Sequence, residues 1–513
     1  MAAHVAAIQL TGHDLTVDDV EAVALHGAGA ALASEAVDQI EASRALIERV
    51  VREERPTYGV NTGFGKLVDV HIDAGQAAEL QLNLLRSHAC GVGAPFPDEV
   101  VRAAILLRAN ALAKGTSGVR RELVQLLVDL LGAGVLPVVP SRGSLGASGD
   151  LAPLAHLALV LVGEGEAMFE DKRMSGADAL RRADLKPLEL GPKEALALIN
   201  GTQVMTAIGC LALHDAETLA TTADIVGALS AEALRATDAA WDEALQDSRP
   251  HPGQRVVAAN LRRLVHGSPI IASHKVGDPR VQDPYSIRCM PQVHGASRDA
   301  LAYTRHVLEV EINSVTDNPI VFADQKRIVS GGNFHGQPVA IALDLATIAV
   351  AELADISESR VDRMTNGHTS GLPPFLTSDA GMNSGFMVAQ YTAAALVTEN
   401  RMRSMPASVE SIPTSADMED HVSMGVHAAH KLAAIVTNTR NVLAIEALCA
   451  AQGLDLLGMT SAPGVEAARR VIREHVSKLE SDRPLAPDIS TMRDVIARDL
   501  LATAVRHATG EVD

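Results

Sequence analysis

Apolar residues recur at i, i+3 and i+4 along most of this chain, the period that lays an apolar stripe on one face of an α-helix. Stretches rich in Ala, Leu, Val and Glu at this spacing run over 35–52, 75–88, 97–113, 119–133, 151–164, 206–235, 296–314, 336–361, 384–403, 424–452 and 463–479. Proline and glycine punctuate the gaps, at Pro56, Pro95-Phe96-Pro97, Pro137, Pro140, Pro252-Gly253, Pro373-Pro374 and Pro484, where they interrupt the helical ladder. An all-α fold is expected. Runs as long as 424–452 exceed the usual globular helix and predict a central bundle of long antiparallel helices.

Composition narrows the class. With 513 residues, 47% hydrophobic and 21% charged, the chain can bury a large core. Lys+Arg of 44 against Asp+Glu of 63 gives a net charge of -19, which repels phosphate backbones and anionic lipid, so nucleic acid is not an expected partner. Cys90, Cys210, Cys289 and Cys449 lie far apart and suggest neither a disulfide framework nor a cysteine-based zinc site, which fits a reducing cytoplasm. The 19 histidines form no H-x-x-x-H or H-E-x-x-H pattern, so no metal is expected; His421, His427 and His430 read as salt-bridging or capping groups in or beside a long helix. The first ten residues lack a basic stretch followed by an apolar one, so no signal peptide is expected. The most apolar runs, 151–162 and 335–354, are too short or carry Asp344 and Glu352, so no membrane span is expected either.

Residues 143–151, Gly-Ser-Leu-Gly-Ala-Ser-Gly-Asp-Leu, carry the most specific chemistry. If the Gly149 nitrogen attacks the Ala147 carbonyl carbon and two waters leave, one from the Ser148 hydroxyl, the backbone becomes an imidazolinone ring with an exocyclic methylidene. Such a ring is an electrophile that no ordinary side chain supplies. Glycine lets its nitrogen approach a carbonyl without a Cβ in the way, serine provides the hydroxyl that is eliminated, and alanine adds little bulk. The plain alternative is a Gly/Ser loop before a helix. Asp150 has the character of an N-cap, and Pro153 sits in the first turn after it; that places the triplet at the positive end of a helix dipole. Asp150 is open to two readings, a helix cap or a group that also aids cyclisation.

The blocks at 58–66, 86–93, 143–154, 199–203, 281–292, 333–338 and 411–425 together resemble, in order and spacing, those of the aromatic amino acid ammonia-lyases that carry a methylidene-imidazolone (MIO) cofactor. The likeness is nearest to the histidine-specific branch. The resemblance implies non-oxidative deamination of L-histidine to trans-urocanate and ammonia, the cofactor forming from Ala147, Ser148 and Gly149. It also implies a homotetramer whose active sites are shared between chains, and a smaller N-terminal cofactor-bearing region, drawn at 1–205, ahead of a long-helix bundle and C-terminal helical region at 206–513. By the family's pattern Tyr58, opening a glycine-rich loop, is the β-proton base. Arg288 binds the substrate carboxylate with its planar fork, Tyr285 and Gln282 support the cofactor and amine, and Asn200 bonds the carboxylate or cofactor. Tyr303 and Tyr391 are assigned to packing.

Substrate choice rests on His88, in Ser87-His88-Ala89, and on Glu419, in Met418-Glu419-Asp420-His421. A ring with donor and acceptor nitrogens wants such partners; the plain alternative is a core histidine and a helix-start carboxylate. Phe334 is expected near the ring and cofactor, and His335 in a structural hydrogen bond. Asp417-Met418, Met405 and Val204-Met205 depart from the usual histidine-type residues. The alternatives are a tyrosine or phenylalanine ammonia-lyase or aminomutase of the same family and, more remotely, a non-catalytic helical scaffold.

Overall fold

The computed structural model of the protein describes residues 7–54, 57, 59–60 and 76–512. The chain is all-helical apart from short ribbons of two or three strands. It packs as two compact units: residues 1–214, 305–344 and 406–430 form the first, and 215–304, 345–405 and 431–513 the second. These are not consecutive stretches of chain, whereas the expected regions 1–205 and 206–513 are.

In the first unit, Asp98–Ala113 is a helix whose residues from Ala103 to Ala113 are all buried, including Arg108 and Asn110. Leu151–Leu161 is more apolar still, with most of its residues buried, and all six residues of Glu194–Ile199 are buried. Three strands, Leu136–Pro137, Glu166–Phe169 and Lys172–Ser175, pair antiparallel beside these helices. They are too short to leave a period-2 signal, and the helical pattern hides them.

The second unit takes the greater part of the long helices Gln203–Ala233, Met290–Ile312, Gln337–Thr365 and Gly425–Leu457, together with Met387–Arg403. Several of their inward polar groups are paired: Arg360 meets Glu446 at 2.5 Å through Nε, Ser230 donates to the same carboxylate, and His294 lies 2.7 Å from Asp224, all fully buried. Two of the long helices run past their expected bounds across a residue that disfavours helix. Met290–Ile312 starts before 296 because Pro291 sits in its first turn, where the missing N–H costs nothing. Gly425–Leu457 continues past 452 because Gly453 lies where a Cβ would meet Ala233 and Leu372 at 3.1 Å, so close packing replaces helix propensity. The helices Pro252–Leu264, Ala486–Ala497 and Leu500–Thr509 were not expected from the apolar pattern.

Among the described residues one helix, Gly425–Leu457, is long and apolar enough to cross a bilayer, and 72% of its most apolar window is buried inside the protein. That burial is what a core helix shows.

Candidate active site

The strand at Pro140–Arg142 leads into the loop carrying Ala147-Ser148-Gly149, and the Leu151–Leu161 helix follows. Gly149 has φ +75°, and a Cβ there would stand 2.1 Å from the Gly201 carbonyl oxygen. Glycine is therefore obligatory. The two backbones run side by side as a parallel bridge, with the Asp150 amide donating to the Gly201 carbonyl at 2.7 Å. From the adjacent position Asn200 Nδ2 donates to the Ser148 carbonyl at 2.8 Å.

Asp150 corrects one expectation. It occupies the N-cap position of Leu151–Leu161, yet its side chain makes no bond to that helix. One carboxylate oxygen instead accepts the amides of Val204 and Met205 at 2.8 Å each, capping the Gln203–Ala233 helix, while the other accepts Ser144 Oγ at 2.9 Å. Burial pushes this carboxyl up to about 7, outweighing the three hydrogen bonds that favour its charge. The departures at Val204 and Met205 leave this cap intact, since Asp150 takes only their backbone amides; the Met205 thioether itself packs against Gly336 and Gly425.

Glu419 reaches the same triplet. Its Oε1 accepts the Ser148 hydroxyl at 2.7 Å and its Oε2 accepts Thr414 Oγ1 at 3.0 Å. Thr414 and Glu419 face each other across an antiparallel bridge that fixes the carboxylate. His88, at the end of Ala77–His88, points Nδ1 at the Leu84 carbonyl, 2.9 Å away. That bond makes Nδ1 the protonated nitrogen and leaves Nε2 with the lone pair. Burial lowers the His88 pKa, against the bond to Leu84 and the pull of the Glu419 charge, so the ring is neutral. Phe334 is half-buried just before Gln337–Thr365. Its neighbour His335 points Nε2 at the His421 carbonyl, 3.1 Å away, and stacks on the His421 ring. His430 neither caps nor pairs with a carboxylate; it stacks on Phe96 and contacts the Ser141 carbonyl.

Gln282, Tyr285 and Arg288 belong to the second unit. Tyr285–Arg288 is one helical turn, with the Arg288 guanidinium 4.6 Å from the centre of the Tyr285 ring. The turn is held at both ends: Asp283 accepts the Thr237 amide at 2.8 Å, and Arg360 Nη1 donates to the Ser286 carbonyl at 3.3 Å. Gln282 is exposed and Tyr285 is 71% exposed in the single chain. Tyr303 and Tyr391, expected in the packing, are 48% and 59% exposed. Tyr58 lies outside the described residues.

Two contributors escaped the sequence reading. Thr414 orients Glu419, and Arg108 donates to the Asn200 carbonyl at 2.8 Å. The signal for Arg108 was a charged residue inside an otherwise apolar helical run.

Residues 15–474 match the family described as aromatic amino acid lyase. The chain belongs to that family. The lyase is 54% identical over 508 residues to a histidine ammonia-lyase of Symbiobacterium thermophilum, covering 99% of this chain and 100% of the relative. The crystal structure of histidine ammonia-lyase from Trypanosoma cruzi superposes on it with a TM-score of 0.92 at 42% identity, covering 98% of this chain and 96% of that one. Tyrosine aminomutase from Streptomyces globisporus gives a TM-score of 0.94 at 39% identity, covering 99% and 100%. Fold alone therefore does not separate the branches of the lyase family, and the substrate must be argued from the site.

Proposed function

We propose that this lyase converts L-histidine to trans-urocanate and ammonia, using an MIO electrophile formed from Ala147, Ser148 and Gly149. The observation that carries this reading is the convergence on Ser148-Gly149: Asn200 on the Ser148 carbonyl, Glu419 on its hydroxyl, and Gly201 closed against Gly149. These residues fit the ring, because Gly149 has neither a Cβ nor room for one and the leaving hydroxyl is already hydrogen-bonded. Once formed, the ring offers an electrophile to the substrate amine.

The chain's own residues do the rest. Arg288 presents a guanidinium to the carboxylate, Gln282 and Tyr285 support the amine and the ring, and Tyr58 takes the β-proton. Glu419 and the neutral His88 both offer acceptors, which suit an imidazole N–H and give a phenyl ring nothing. By the family's pattern Phe334 packs near the substrate ring and the cofactor. This polar pair favours histidine over the tyrosine and phenylalanine branches.

The assembly is read as a homotetramer with shared sites: the exposure of Tyr285 in the single chain is that of a group completed by a neighbour. Four unpaired thiols suit the cytoplasm. Initial rates with histidine, tyrosine and phenylalanine test the substrate. Urocanate formation dominating is expected, and preferred release of ammonia from tyrosine or phenylalanine contradicts the assignment.

A further inference from the structure

We infer that Arg108 is a positioning residue for ring formation: its guanidinium holds the Asn200 carbonyl, so that Asn200 and Gly201 clamp Ser148-Gly149 in the conformation that cyclises. The inference rests on the reading that the triplet becomes the MIO ring.

Arg108 is 0% exposed in the middle of Asp98–Ala113. Burying a guanidinium is costly unless it is paired. The carboxylate whose charge acts on it, Asp317, is already bound to Lys193 Nζ at 2.6 Å. Nε and Nη2 of Arg108 have no hydrogen-bond partner among the described residues. Only Nη1 is engaged, donating to the Asn200 carbonyl at 2.8 Å and to Gln203 Oε1 at 3.0 Å. Gln203 is fixed in turn by donating to Thr316 Oγ1 at 2.8 Å. A cation retained at this expense, with the shorter of its two hydrogen bonds on the residue that grips Ser148, has a role beyond filling space.

The geometry says which role. A Cβ on Gly201 would stand 2.6 Å from Arg108 Nη1, and one on Gly149 would stand 2.1 Å from the Gly201 oxygen, so Arg108, Gly201 and Gly149 are stacked in contact. Asn200 Nδ2 meanwhile donates to the Ser148 carbonyl. In the cyclisation the Gly149 nitrogen bonds to the Ala147 carbonyl carbon and its proton passes to the Ala147 oxygen. That oxygen leaves as water with the Ser148 amide proton, and the Ser148 hydroxyl leaves as a second water with the Cα hydrogen. No oxidant is required. Removing the Cα hydrogen drives negative charge onto the Ser148 carbonyl oxygen, where the Asn200 donor sits with the buried Arg108 charge behind it. Burial draws the Arg108 pKa down only to about 10, which leaves it charged at neutral pH.

The test is the mass of the peptide spanning 147–149 from purified wild type, Arg108→Gln and Arg108→Lys, with far-UV circular dichroism and size-exclusion elution as controls of fold. Wild type is expected to be two waters lighter. Arg108→Gln is expected to form the ring about tenfold more slowly, leaving full-mass peptide, and Arg108→Lys to fall between, because its ammonium keeps the charge but not the forked geometry. Folded Arg108→Gln that is fully cyclised overturns the inference. Should the glutamine variant not fold, folded Arg108→Lys carries the test, and complete cyclisation at the wild-type rate overturns it. Full-mass peptide in wild type overturns the inference together with the reading beneath it, whereas normal cyclisation in the variants overturns the inference alone.

Discussion

The Ser148 hydroxyl donates to Glu419 Oε1 at 2.7 Å across 271 positions of sequence. The bond can exist only while Ser148 keeps its hydroxyl. Eliminating that hydroxyl frees Oε1 for a substrate ring, while Thr414 continues to hold Oε2. One carboxylate can thus serve two stages without moving.

Glu419→Gln is accordingly expected to cut kcat/KM for histidine by roughly ten- to a hundredfold, the value of about 1–3 kcal/mol for a desolvated polar contact. Stability should change little. His88→Leu is expected to lower histidine use and raise phenylalanine relative to it, since an apolar wall no longer rewards a polar ring. Initial rates with both amino acids check this; unchanged histidine rates in both variants would contradict the pocket described.

Gly149→Ala should fail on geometry. The left-handed backbone costs an L side chain about 1–3 kcal/mol, and the new Cβ would meet the Gly201 carbonyl at 2.1 Å. The expected result is a lowered melting temperature and a triplet of full mass. A fully cyclised, equally stable variant would show that the Gly149–Gly201 contact does not matter.

Asp150 predicts a pH dependence of stability. Its carboxyl titrates near 7 when folded and near 3.8 when unfolded. Between these values the folded state holds a proton that the unfolded state has lost, so this group's contribution falls as pH rises from about 4 to about 7 and then levels. The size is on the order of a few kcal/mol. Asp150→Asn removes the titration, so the stability gap between wild type and variant should shrink or reverse across that window. Parallel curves from chemical denaturation at several pH values would contradict the raised pKa.

If active sites are shared between chains, mixing Tyr58→Phe and Arg288→Ala subunits should restore activity that neither homomer has. Statistical mixing leaves some sites with both native groups. No recovery after refolding together, with mixed tetramers demonstrated by native mass spectrometry, would argue for sites built within one chain.

Much of this was legible beforehand because the long helices carry strong 3.6-residue periodicity, and the Ala-Ser-Gly triplet and its accompanying blocks are local in sequence. What escaped notice was tertiary. Asp150 looks like the cap of the helix it precedes, but the Gly149–Gly201 bridge brings the start of another helix within reach, and its carboxylate goes to Val204 and Met205. Nothing in the order of residues announces that choice. Arg108 is hidden for the same reason: its partner Asn200 lies 92 positions away. The ends at Met290 and Leu457 shifted because Pro291 and Gly453, breakers on propensity alone, occupy a first turn and a tight helix contact.

The most direct measurement is the mass of the 147–149 peptide, taken alongside histidine turnover, in wild type and Ser148→Ala. The account predicts a wild-type peptide lighter by two waters and active protein, against a Ser148→Ala variant that is folded, lacks the methylidene and makes no urocanate. A wild-type peptide of full mass in active enzyme, or Ser148→Ala turning over histidine near the wild-type rate, would contradict it.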